Sequence, residues 1–114
     1  MSVLFIVLND ISYLDKILGK FYELGVSGAT ILDSQGMASA IVYQEMESIP
    51  LFGSLKTLLK GSKPYNKTIF TVIEDEQLLQ KTIIEVKELL KDAPHWAGVM
   101  FTIPVGEIHR LSNK

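Results

Sequence analysis

The chain has 114 residues, 47% of them hydrophobic and 21% charged, with a formal net charge of -2 and no cysteine. That length makes one domain spanning 1–114, and the high apolar fraction with little net charge excludes an intrinsically disordered chain. A pI near 5.6 leaves no basic footprint for nucleic acid, and without cysteine there is no disulfide framework, thiol nucleophile or Cys-based zinc or iron–sulfur site.

The first element is the apolar run from Val3 to Leu8, stopped by Asn9 and Asp10, which predicts a central strand buried on both faces. It is short, no basic flank precedes it and no small-residue cleavage site follows it. It is therefore expected to be neither a signal peptide nor a membrane span, and the protein is expected to be cytoplasmic. Ile11, Leu14, Ile17, Leu18, Phe21 and Leu24 then recur at helical spacing among charged residues, with Gly25 where a C-terminal cap belongs. The segment from Val26 to Asp33 has strand propensity interrupted by Gly28, a glycine that suggests a close approach to the backbone.

Residues 34–66 form a long excursion. Ser34 to Ser39 reads as a turn or mobile loop, Ala40 to Tyr43 as an extension of the preceding arm, and Pro50 to Lys60 as a short amphipathic helix with Leu51, Leu55, Leu58 and Leu59 on one side. Loops beyond about 12–15 residues are usually functional or disordered. Here Met37, Met46, Ile49, Leu51 and Phe52 supply apolar side chains that a solvated loop does not need, and methionine suits adaptable binding surfaces. The alternative is a helix docked permanently on its own subunit.

A second strong strand runs from Lys67 to Ile73, and Asp75 is placed to cap a helix with Leu79, Ile83, Val86 and Leu90 as its core stripe, ending near Pro94. Val99, Phe101, Ile103 and Val105 alternate with other residues in a last strand, where Pro104 favours an edge or a strand end. The order β-α-β, excursion, β-α-β is the split-βαβ, ferredoxin-like pattern: an α+β fold whose antiparallel four-stranded sheet carries both helices on one face.

That fold raises a physical problem. The first strand is apolar at Val3, Phe5 and Val7 and equally at Leu4, Ile6 and Leu8, so one set faces away from the helices. Leaving three such side chains in water forgoes roughly 1.5–3 kcal/mol each, against a net stability of about 5–15 kcal/mol for a small domain. The excursion or the same face of another subunit must cover them, and subunits packed with their sheets inward are the preferred solution.

The stretch Gly25, Val26, Ser27, Gly28, Ala29, Thr30 and Ile31, followed by Gln35, Gly36 and Met37, resembles the second-strand and loop-entry region of the PII nitrogen-regulatory signalling proteins. Residues 98–110, from Gly98 to His109 and Arg110, resemble that family's last strand and arginine-bearing C-terminal segment. The resemblance implies a ferredoxin-like homotrimer that is not an enzyme, with ATP or ADP in clefts between subunits and a central loop that docks on a membrane transporter, an enzyme or a transcription factor. It places Gly28, Thr30, Gly36, Gly98 and Arg110 at the ligand; the loop sequence from Gln44 to Ser62 is largely the chain's own, and its apolar Met46, Ile49, Leu51 and Phe52 are the residues expected to meet the partner. The family's glycine-rich phosphate loop and lysine fall at residues 95–99, where only Gly98 is kept and Val99 stands for the lysine. Ala38 and Ala40 replace a glycine and a glutamine, and Ser112 replaces a second arginine. These departures leave a second reading, a ferredoxin-like scaffold with the architecture of CutA-type trimers and no nucleotide sensing.

Other chemistry finds little support. His95 and His109 lie in no zinc-binding spacing, Glu74 to Glu76 suits a helix N-terminus, and Glu45 and Glu47 have no identifiable general-base partner. Ser34 and Ser39 lack a nucleophile context. Asn66, Lys67 and Thr68 match a glycosylation sequon, read here as chance. Trp96 is expected to pack over a sheet end, and Lys63, Lys67 and Arg110 form an anion site only if the fold brings them together.

Overall fold

The computed structural model describes residues 1–37 and 65–112. β1 (Ser2–Leu8) leads into a 3-10 turn (Ile11–Tyr13) and α1 (Leu14–Leu24), then β2 (Thr30–Ser34); β3 (Asn66–Ile73), α2 (Glu76–Leu89) and β4 (Gly98–Pro104) follow. All neighbouring strands are antiparallel in the order β2-β3-β1-β4. This α+β arrangement, a four-stranded antiparallel sheet with two helices, is compatible with the expected ferredoxin-like fold.

Local chemistry sets the element ends. The Asp10 carboxylate accepts from Ser12 N–H at 3.2 Å and from the Ser12 hydroxyl at 2.6 Å, which turns the chain off β1. Gly25 ends α1 at φ 88°, with its N–H bonded to the Tyr22 carbonyl while Val26 N–H reaches Phe21. This pair of bonds is a Schellman cap, and its left-handed residue favours glycine. Asp75 caps α2 by accepting from the backbone N–H of Gln77 and Leu78. In α2 the buried Thr82 satisfies its hydroxyl on the Leu78 carbonyl at 2.7 Å.

Both helices pack on one face of the sheet. Ile17 and Phe21 from α1 and Leu79 and Val86 from α2 close over Leu4, Ile6, Leu8, Ile69 and Ile73. Ile83 and Leu90 are partly buried against the same core, as their periodicity predicts. Two expectations are corrected. Ile11 belongs to the 3-10 turn and is exposed, because the Asp10 turn takes it out of the helical register. The second strand begins at Thr30 and not at Val26, since Val26 is the residue that completes the α1 cap. Among the described residues nothing lies within 4 Å of where a Gly28 side chain would stand, while the Thr71 hydroxyl approaches the Gly28 backbone at its carbonyl. The expected features between Ala38 and Pro64, including the Ala40 to Tyr43 arm, the helix from Pro50 to Lys60 and the partner-binding residues Met46, Ile49, Leu51 and Phe52, lie outside the described residues.

Candidate functional site

The register assigns every strand residue to a face. Leu4 and Ile6 point to the helices, so Val3, Phe5 and Val7 point away, together with their cross-strand partners. Three rows result: Val72, Val3 and Ile103; Thr30, Phe70, Phe5 and Phe101; and Leu32, Thr68, Val7 and Val99. The middle row is a stack of rings, with Phe5 centred 5.6 Å from Phe70 and 5.2 Å from Phe101. On the edge strand, Val99, Phe101 and Ile103 are 57%, 43% and 46% exposed. No charged residue stands in any of the three rows.

The ligand residues proposed from the sequence fall at different levels of this sheet. Gly98 opens β4 opposite Leu8, and Gly36 lies beside Asn66 at the same end. A side chain at Gly98 would overlap the Val7 carbonyl and come within 3.2 Å of Leu8 Cα, so this glycine has a packing reason of its own. Thr30, exposed, continues the phenylalanine row, and the Gly28 carbonyl accepts from the Thr71 hydroxyl. Arg110 lies at the opposite end, where its Nη2 donates to Glu74 Oε1 at 2.8 Å in an exposed pair. Lys67 pairs with Asp33 near the Gly98 end. At about 3.3 Å per residue, Lys67 and Glu74 are roughly 20 Å apart along the chain, so Lys67 and Arg110 do not converge within one chain; Lys63 lies outside the described residues. The single chain therefore separates Gly36 and Gly98 from Arg110.

The end that holds Gly36 and Gly98 also carries a polar cluster that motif reading missed. Asn66, only 7% exposed, is contacted by the Ser34 hydroxyl and donates to Asn9 Oδ1 at 3.0 Å; Asn9 in turn donates to the Trp96 carbonyl at 3.0 Å. Asn9 and Asp10 also donate their backbone N–H groups to the Ala97 carbonyl. The signal in the sequence is an asparagine at each of two strand ends, where local chemistry alone accounts for it as strand punctuation and as part of a sequon. Among the described residues, no group of three or more His, Cys, Asp and Glu is placed to hold a metal ion, and no helix is long and apolar enough to cross a membrane.

Compared with known proteins, the chain matches no family model and no curated relative.

Proposed function

We propose that this protein is a PII-like homotrimeric regulatory protein of the cytoplasm, without enzymatic activity, that senses a small effector between subunits and acts on a partner through residues 34–66. The observation that carries this reading is the apolar outer sheet face of Val3, Phe5, Val7, Phe70, Val72, Val99, Phe101 and Ile103. Stacked rings on a sheet also suit unpaired bases, but a nucleic acid needs cations to offset its phosphates, and these rows contain none. A surface of the same character, supplied by sister chains, matches it chemically. Assembly also supports the ligand site, because Gly36 and Gly98 of one subunit can share a cleft with Arg110 only if that arginine comes from another. The effector class is an adenine nucleotide such as ATP or ADP, and the partner class is a membrane transporter or an enzyme.

Light scattering tests the assembly: the expected mass is three times the 12.7 kDa of the chain. Phe5→Lys, which sets an unpaired charge at the centre of the packed face, is expected to reduce it to that of one chain. A wild-type particle of 12.7 kDa at micromolar concentration counts decisively against the trimer.

A second reading, an oligomeric scaffold without nucleotide sensing, is favoured by Val99 standing where the family has a lysine and by the engagement of Arg110 with Glu74. A triphosphate needs backbone N–H groups and cations to offset its desolvation. Titration calorimetry against ATP, ADP, cyclic nucleotides and bicarbonate separates the two: saturable heat with any of them supports sensing, and a trimer giving no heat with all of them supports the scaffold.

A further inference from the structure

The polar cluster at the Gly98 end is a chain of hydrogen bonds with a fixed direction, and this property stands apart from the proposed regulatory role. The Ser34 hydroxyl donates to Asn66 Oδ1, Asn66 Nδ2 to Asn9 Oδ1 at 3.0 Å, and Asn9 Nδ2 to the Trp96 carbonyl at 3.0 Å. The last group is a backbone carbonyl, which can only accept. It therefore orients every member before it. Turning the Asn9 carboxamide over would set oxygen against the Trp96 oxygen. With Asn9 so held, turning Asn66 over would set oxygen against Asn9 Oδ1. The Ser34 hydrogen is thereby committed to Asn66, which makes Thr68 the donor in the 2.8 Å contact between Thr68 Oγ1 and Ser34 Oγ.

These residues are far apart in sequence. Ser34 ends β2, Asn66 opens β3, Asn9 follows β1, and Trp96 lies in the turn that leads into β4. The backbone bonds from Asn9 and Asp10 to Ala97 already hold that turn against β1, so the side-chain relay adjusts its position and does not build it. Burial of Asn66 makes a lost member costly, because water cannot readily take its place.

We infer that Asn66 is a positioning residue that couples the β2–β3 junction to the turn around Trp96 through Asn9, so that a change at Ser34 is felt three hydrogen bonds away. Trp96 is the single tryptophan of the chain and reports on the turn directly. Asn66→Asp keeps the side-chain shape but replaces the donor facing Asn9 with an acceptor. It is expected to shift Trp96 emission and acrylamide quenching, and to speed exchange of the Asn9 amide roughly fivefold, the factor equivalent to one typical net hydrogen bond. Ser34→Ala is expected to change the same readouts in the same direction by less. The double variant is expected to add nothing to Asn66→Asp, since both act along one path. A folded Asn66→Asp variant of wild-type mass, with wild-type Trp96 emission and Asn9 exchange, overturns the inference, and so do additive effects in the double variant. If Asn66→Asp does not fold, Ser34→Ala decides alone, wild-type readouts again overturning it. All these measurements use protein without nucleotide, so calorimetry that rejects the regulatory reading leaves them intact.

Discussion

Under the helices, Leu4, Ile6, Leu8, Ile69 and Ile73 are closed off by Ile17, Phe21, Leu79 and Val86, whereas on the far side of the same strands Val3, Phe5, Val7, Phe70 and Phe101 have no helical layer above them among the described residues. Along β1 both faces are apolar, and among the described residues helices complete one of them. The difference teaches that apolar character marks a residue for burial without saying who buries it. On the helix side the chain's own amphipathic stripes do so. On the other side the proposed trimer assigns that task to sister chains.

The comparison is broken most directly at its best-buried point. Ile69 is 0% exposed, and Ile69→Ala is expected to cost about 2–5 kcal/mol through lost burial and a residual cavity. Urea unfolding measures this loss at fixed subunit concentration. Phe101→Ala on the other face is expected to cost about 1.5–3 kcal/mol where assembly buries the ring and much less in dilute solution, so its melting temperature should depend less on protein concentration than that of wild type. A loss equal at all concentrations would make the two faces alike and remove the argument for sister chains.

Gly98→Ala acts on both faces at once, because a methyl group against the Val7 carbonyl pushes β4 from β1. An expected loss of about 1–3 kcal/mol is typical of such overpacking, and a denaturation midpoint equal to wild type would show that the strand pair can absorb the methyl group. Arg110→Ala is expected to cost at most about 1 kcal/mol, because its pair with Glu74 is exposed and screened. A larger loss in the same assay would mean that the segment after β4 helps cover the open face.

Much of the fold was legible because its signals are local. The Gly25 cap, the Asp75 cap and the α2 stripe each depend on residues within one or two turns, and both faces of β1 could be read as apolar from the run between Val3 and Leu8. Where a local signal competes with a neighbour, spacing alone misleads. Ile11 has helical spacing from Leu14, but the Asp10 side chain claims the backbone there for a tight turn. The candidate site was less legible, since its parts come from separate strands. Gly98 reads as a loop glycine until the Val7 carbonyl is placed against it, and nothing in its neighbourhood pairs Arg110 with Glu74.

The amino-acid order by itself determined the periodicities, the caps and the presence of more apolar surface than two helices can cover, because each follows from the chemistry of neighbouring residues. Only the tertiary structure decided which half of β1 the helices take, how Phe70, Phe5 and Phe101 align into one row, and that Ser34, Asn66, Asn9 and Trp96 join in a single directed relay. These are matters of register between strands far apart in the chain, β1 and β4 pairing from Ser2 with Pro104 to Leu8 with Gly98. A shift of one residue in a strand pairing would exchange its two faces and dissolve the relay.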